Sequence, residues 1–297
     1  MPIAFRHEPQ VTYGVLQPVS ARVRRIVARN ASAFTYHGTG TYVIGRGEVA
    51  VVDPGPDLPS HVDALLAALD GERITHLLVT HTHIDHSPAT RLLRERTGAP
   101  AYAFGPHPRA QDPAAQAGAD LSFVPDVIVG HGDVIEADGF SFECVHTPGH
   151  CSNHLCFALR EEQALFSGDH VMGWSTTMIS PPDGAMGAYL RSLELLLERD
   201  DRVYLPAHGP ALDEPQPYVR ALIAHRRERE LQIVRCLERG VQRIAEMVPI
   251  MYQGTPPALF PAAARSVLAH VRHMLERGTV ELEGEGPADL DCRYRLR

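Results

Sequence analysis

The chain contains no lysine: all 28 of its basic residues are arginine. That absence removes Schiff-base chemistry, a pyridoxal-phosphate anchor and the lysine of a phosphate-binding loop, because each needs a side-chain amine. There is no Gly-x-Ser-x-Gly nucleophile elbow either. The five cysteines (Cys144, Cys151, Cys156, Cys236 and Cys292) are odd in number and include no Cys-x-x-Cys pair. They predict ordinary thiols in a reducing compartment rather than a disulfide framework. No apolar run reaches the roughly 20 residues that cross a bilayer, so no membrane association is expected. Met1 to Gln10 lacks the charged start and apolar stretch of a secretory signal, which makes a cytoplasmic location the expectation.

What remains is a globular composition, 44% hydrophobic and 22% charged over 297 residues. That length suits one large domain with a small appendage. Charge divides along the chain: residues 1–220 hold 16 Arg against 26 acids, and residues 221–297 hold 12 Arg against 10. An acidic main body disfavours polyanion binding, and the tail is only mildly basic.

Strands and helices alternate through the first two-thirds. Thr41 to Ile44 and Val49 to Val52 read as a strand pair turned by Gly45 and Gly47. Ser60 is the expected cap of a helix reaching Leu69, with Val62, Leu65, Leu66 and Leu69 at helical spacing. Ile74 to Thr80 is a compact apolar strand that contains His76, read as structural. Ser87 and Pro88 are the expected start of a helix stopped by Gly98. Further strands are expected at Phe140 to Val145, Leu155 to Leu159, Ala164 to Phe166 and Val203 to Leu205, with a helix over Tyr189 to Glu198. Such mixing predicts a layered α/β domain over residues 1–215. Beyond it, helices are expected from Pro217 to Glu238, around Ile244 to Met251 with Pro249 as a kink or early end, and from Pro261 to Gly278. Val280 with Leu282, and Tyr294 with Leu296, alternate like a hairpin. Three helices and a hairpin outline a winged helix over residues 216–297.

The chemistry concentrates in His81-Thr82-His83-Ile84-Asp85-His86, three imidazoles and a carboxylate directly after an apolar strand. Imidazole and carboxylate suit zinc and similar borderline metals. His150 follows the turn Thr147-Pro148-Gly149, Asp169 follows Ser167-Gly168, and His208 follows Pro206-Ala207. Each lies just past the C-terminal end of an expected strand, so a sheet can gather them along one edge.

These motifs resemble the metallo-β-lactamase superfamily over roughly residues 30 to 215. The resemblance implies a four-layer αββα sandwich with two metal ions at one edge: zinc, with manganese or iron as alternatives. It gives His81, His83 and His150 to one ion, Asp85, His86 and His208 to the other, and Asp169 to both. Asp53 is implied to orient the histidine loop. Where many members read Gly-Thr-Asn-Thr, this chain reads Gly38-Thr39-Gly40-Thr41, so no role for that asparagine carries over. The stretches His150 to Phe157 and Gly173 to Gly184, with the helical tail, resemble the β-lactamase-like protein 2 subgroup. That subgroup carries a C-terminal winged-helix-like domain and has an animal member that is a mitochondrial endoribonuclease. Tails of this kind are implied to cover one side of the cleft, and a lid or docking role is the expectation here.

Two adjacent metals hold a water between them and lower its pKa, giving a hydroxide that attacks carbon or phosphorus. Asp85 is a candidate acceptor of that water's proton as well as a ligand. His154 is the other catalytic candidate, as a donor to the substrate oxyanion or leaving group; a packing role is the competing reading for it and, more strongly, for His170. Ser175, Thr176 and Thr177 read as pocket-lining hydroxyls or as a loop satisfying its own backbone. Trp174 reads as a cleft wall or a core filler. The leading expectation is hydrolysis of a small acyl ester or thioester. An endoribonuclease cutting single-stranded RNA and a metal-loaded nucleic-acid-binding protein are the alternatives, and a homodimer is compatible with any of them.

Overall fold

In the computed structural model, residues 3–8, 10–109 and 118–297 are described. The first sheet runs β1 (Gln17–Pro18), β2 (Val23–Val27), β3 (Gly40–Arg46), β4 (Glu48–Val52), β5 (Arg73–Leu78), β6 (Ala101–Ala103) and β7 (Val127–Ile128), in that spatial order. Its early strands pair antiparallel, and β4 through β7 pair parallel. The second sheet is formed by β8 (Val134–Ala137), β9 (Phe140–His146), β10 (Leu155–Leu159), β11 (Ala164–Gly168), β12 (Val203–Pro206) and β13 (Leu212–Asp213). Here β9, β10 and β11 alternate direction and β12 runs parallel to β11, so β9, β11 and β12 end at the same rim.

Alternation explains why these strands read as apolar throughout. In β10, Leu155, Phe157 and Leu159 face the first sheet, where they join Tyr42, Ile44, Val52 and Leu78. The intervening Cys156 and Ala158 face outward onto a helix layer. A sheet covered on both faces has no polar side to show.

Helices α1 (Pro59–Ala68) and α2 (Ala89–Thr97) cover the first sheet through Val62, Leu65 and Leu93. On the second sheet lie α3 (Met186–Leu197) and the first half of α4 (Pro215–Glu238), through Tyr189, Leu193, Leu196, Val219 and Leu222. The result is a four-layer αββα sandwich.

Two expected helix starts are corrected. Ser60 does not cap α1: Leu58 occupies the cap position, and Pro59 opens the helix where its missing N–H costs nothing. Ser87 does not cap α2 either. Pro88 stands at the cap, and the Ser87 hydroxyl donates to Asp120 Oδ2 at 2.8 Å. Gly98 ends α2 in the left-handed conformation, φ 73°, as expected.

The second half of α4, α5 (Ile244–Met251), α6 (Phe260–Glu276) and the hairpin β14 (Val280–Glu283) and β15 (Arg293–Leu296) share a separate core around Ile233, Met247, Val267, Val271 and Tyr294. This is a winged-helix arrangement. Pro249 lies inside α5, which continues to Met251. The expected start of the long helix at Pro217 moves to Pro215, and α4 contributes to both cores. Among the described residues, no helix is long and apolar enough to cross a membrane.

Candidate metal centre

Five strand ends deliver the site. β4 ends at Asp53, β5 leads into the loop His81 to His86, and β9, β11 and β12 lead to His150, Asp169 and His208. The rim is tied together by backbone and side-chain bonds: Leu155 N–H donates to Thr80 O at 2.7 Å, Gly40 N–H to Ala207 O at 2.7 Å, and the Tyr42 hydroxyl to Pro206 O at 2.8 Å. Gly168 permits the tight exit from β11. Its φ is +50°, and a Cβ there would stand 2.6 Å from His154 Nε2 and 2.9 Å from Thr80 Oγ1.

The structure gathers His81, His83 and His150 into one group of mutually close ligand atoms, and Asp85, His86 and His208 into another. In the first, His83 Nδ1 lies 3.0 Å from both His81 Nε2 and His150 Nε2. Two nitrogens bound to one tetrahedral zinc stand roughly 3.3 Å apart, so the spacing fits a shared cation. In the second, Asp85 Oδ2 is 3.3 Å from His208 Nε2 and 3.5 Å from His86 Nε2. Asp169 stands between them. Its Oδ2 faces His150 Nε2 at 3.7 Å, and its Oδ1 faces His208 Nε2 at 3.3 Å and His86 Nε2 at 3.7 Å.

The far nitrogens are committed elsewhere, which fixes the tautomers. His86 Nδ1 donates to Asp53 Oδ2 at 3.0 Å, His208 Nδ1 to Gly38 O at 3.2 Å, and His150 Nδ1 to Met178 O at 2.7 Å. Carbonyls and carboxylates only accept, so in the neutral ring that a metal binds, Nε2 is the nitrogen left with a lone pair, and it points inward. His81 Nδ1 reaches Thr80 Oγ1 at 3.1 Å, and that hydroxyl in turn donates to Asp53. Asp53 thus anchors two histidines of the loop.

Three of the inward atoms, His86 Nε2, His208 Nε2 and Asp169 Oδ1, are buried and have no hydrogen-bond partner among the described residues. Buried polar atoms are normally satisfied, and these converge on one point. Electrostatics agree. Burial alone would lower His86, yet Asp85, Asp169 and Asp53 hold its pKa well above the ordinary value. Burial would raise the Asp85 carboxyl, yet His86 and His208 hold it well below the usual range. Three carboxylates at one rim demand positive charge, and the donor set is one a divalent metal accepts.

His154 does not sit where a substrate donor would. Its Nε2 accepts the Asp169 amide N–H at 3.2 Å, and burial among other histidines holds the ring well below its ordinary pKa, hence neutral. The proton then resides on Nδ1, which donates to Thr147 Oγ1 at 2.9 Å. Both nitrogens are engaged behind Asp169. The expected oxyanion or leaving-group donor is corrected to a group that holds the Asp169 backbone. His170 is likewise buried, beside the Tyr189 ring at 4.7 Å.

A cleft of about 470 Å³ opens over His83, Asp85, His150 and Asp169. Trp174 forms part of its wall, stacked on Tyr36 at 5.0 Å. Ser175 and Thr176 also line it, whereas Thr177 turns inward and donates to the Asp169 and His170 carbonyls. Sequence reasoning missed Phe34, Ile84, Met172 and Met178 as lining. Phe34 and Ile84 carried a signal only in hindsight, being large apolar side chains 54% and 55% exposed at the mouth. Asn153 was also missed. It is buried and donates to Thr82 Oγ1 at 2.8 Å, bracing the histidine loop.

Comparison with known proteins gives the family. A family model described as the metallo-beta-lactamase superfamily matches residues 36–208, and one for the beta-lactamase associated winged helix domain matches residues 244–288. A beta-lactamase-like protein 2 homologue of Drosophila melanogaster is 30% identical over 275 residues, 89% of this chain and 91% of that protein. An atrochrysone carboxyl ACP thioesterase of Aspergillus terreus is 30% identical over 239 residues, 80% of this chain and 69% of that protein. Among solved structures, a beta-lactamase domain protein from Burkholderia ambifaria superposes with a TM-score of 0.78 at 21% identity, covering 97% of this chain and 96% of the other. The chain belongs to the metallo-β-lactamase superfamily of hydrolases and ends in the winged-helix domain associated with that superfamily.

Proposed function

We propose that the chain is a dinuclear metal hydrolase of acyl thioesters, with zinc as the leading metal and manganese or iron as alternatives. His81, His83 and His150 would hold one ion, Asp85, His86 and His208 the second, and Asp169 both. When bound, such a pair supplies an ionised water at neutral pH and a Lewis acid for the acyl oxygen. The chain's own residues supply placement. Asp53, Thr80, Gly38 and Met178 fix the imidazole tautomers through the bonds already described, and His154 fixes the Asp169 backbone. Asp85 is exposed to the cleft and stands as the candidate proton acceptor.

One observation carries the substrate class. The cleft beside these ligands is walled by Phe34, Ile84, Met172, Trp174 and Met178, and none of its described lining residues is arginine. An apolar acyl chain finds dispersion contacts and desolvation there, whereas RNA needs cations along its backbone. The names of thioesterase relatives support the same reading. The winged-helix hairpin does not favour nucleic acid: Arg293 pairs with Glu283 at 3.1 Å, and Arg295 and Arg297 pair with Glu281 at 3.0 and 3.5 Å.

The test is thiol release from a series of acyl thioesters by the full chain, with His83→Ala as control and labelled single-stranded RNA as competitor substrate. Turnover of thioesters that His83→Ala abolishes is expected. Cleavage of RNA without thioester turnover would replace this reading with the nuclease one.

A further inference from the structure

The segment from Trp174 to Met178 serves the centre from two sides. Outward, Trp174, Ser175, Thr176 and Met178 line the cleft. Inward, the Met178 carbonyl accepts from His150 Nδ1 at 2.7 Å, and the Thr177 hydroxyl is shared between the carbonyls of Asp169 at 2.6 Å and His170 at 2.9 Å. Two of the residues assigned to metal therefore take their orientation from this segment.

Behind the segment stands Arg226, on α4. It is 3% exposed, and its Nη2 donates to the Thr177 carbonyl. The guanidinium lies 5.2 Å over the ring of Tyr189, whose hydroxyl donates to the His170 carbonyl at 3.1 Å. Its neighbour Arg227 pairs with Glu194, but among the described residues Arg226 has no carboxylate partner, and its Nε is buried without any partner. A buried guanidinium in this state is costly, and an apolar side chain of similar volume is often neutral or stabilising in such a place. Fold stability therefore does not account for an arginine here. What it holds does.

We propose that Arg226 is a positioning residue through which helix α4 sets the orientation of Asp169 and His150 and the wall of the cleft. The inference rests on the metal-site reading given above. It assigns α4, the helix that both cores share, a role in the centre that needs no contact with substrate: one hydrogen bond to Thr177 carries it.

The test compares Arg226→Met, Arg226→Lys and Thr177→Val with the wild-type full chain, each loaded with Co²⁺ alone and followed by its visible spectrum, its Co²⁺ affinity and its urea midpoint. Arg226→Met is expected to keep or exceed the wild-type midpoint while its Co²⁺ bands shift and its affinity falls about 10-fold or more. With a thioester, kcat falls and KM moves little, because the wall residues remain. Arg226→Lys, which keeps one donor, recovers part of the spectrum, and Thr177→Val, which removes the hydroxyl that reaches Asp169, reproduces the shift. If Arg226→Met does not fold, Arg226→Lys and Thr177→Val decide the matter. Wild-type spectra and affinities in the folded variants would overturn the proposal alone. Failure of the wild type to take up Co²⁺ would overturn the metal-site reading and this inference with it.

Discussion

The carboxylate of Asp53 and Nδ1 of His86 lie 3.0 Å apart, both buried, and the same carboxylate accepts from the backbone and hydroxyl of Thr80. Asp53 touches none of the space a substrate enters, yet it fixes how the histidine loop leaves β5. Asp53→Ala should therefore lower metal affinity about 10- to 100-fold without emptying the cleft of any lining group. Chelator competition against the wild type measures it, and unchanged affinity would show that His86 is held by other means.

Gly168 leaves no room for a side chain beside the centre. Gly168→Ala would place a methyl against His154 Nε2 and Thr80 Oγ1 in a backbone conformation, φ +50°, that disfavours a side chain. A loss of roughly 1–3 kcal/mol is expected, together with weakened metal uptake as Asp169 moves. Urea unfolding of metal-free protein separates the first effect from the second.

Much of this was legible because each proposed ligand belongs to a short contiguous motif beyond an apolar strand. His81 to His86, His150, Asp169 and His208 announce themselves without reference to one another. β2 did not. Its Arg24 and Arg25 spoil the apolar pattern, and their partners, Glu72 and Glu8, are remote in sequence. The same reason hid the caps. Ser87 has the right chemistry to cap α2, but the Asp120 carboxylate, brought from another loop, competes for its hydroxyl. His154 was placed in the right neighbourhood and given the wrong task, because only the fold shows which way its two nitrogens point.

Two buried histidines, His61 and His270, contribute to the pH dependence of the metal-free protein with one sign, opposite to that of His86 and His208, whose carboxylate neighbours raise them. Burial pushes His61 down to about 4 and His270 down to about 4 from 6.5. The unfolded chain then takes protons first. What these two rings contribute to stability is full above pH 6.5, falls as the pH drops towards 4, and is lost below that, at up to about 3 kcal/mol per group. Urea midpoints between pH 7.5 and 4.5 should show the fall, and His270→Gln should make it shallower. A flat profile would mean that these rings reach solvent.

Trp174 stacks on Tyr36 within the cleft wall. Trp174→Ala should lower kcat/KM about 10-fold for long or aromatic acyl thioesters and far less for acetyl thioesters, since each lost apolar contact is worth ~1–3 kcal/mol. Equal losses along the series would place the acyl group elsewhere.

The most direct test is a crystal structure of the metal-loaded chain with anomalous scattering recorded at the metal edge. Two peaks are predicted, one among His81, His83 and His150 and the other among Asp85, His86 and His208, with Asp169 reaching both. A single peak, or peaks away from these side chains, would contradict the account.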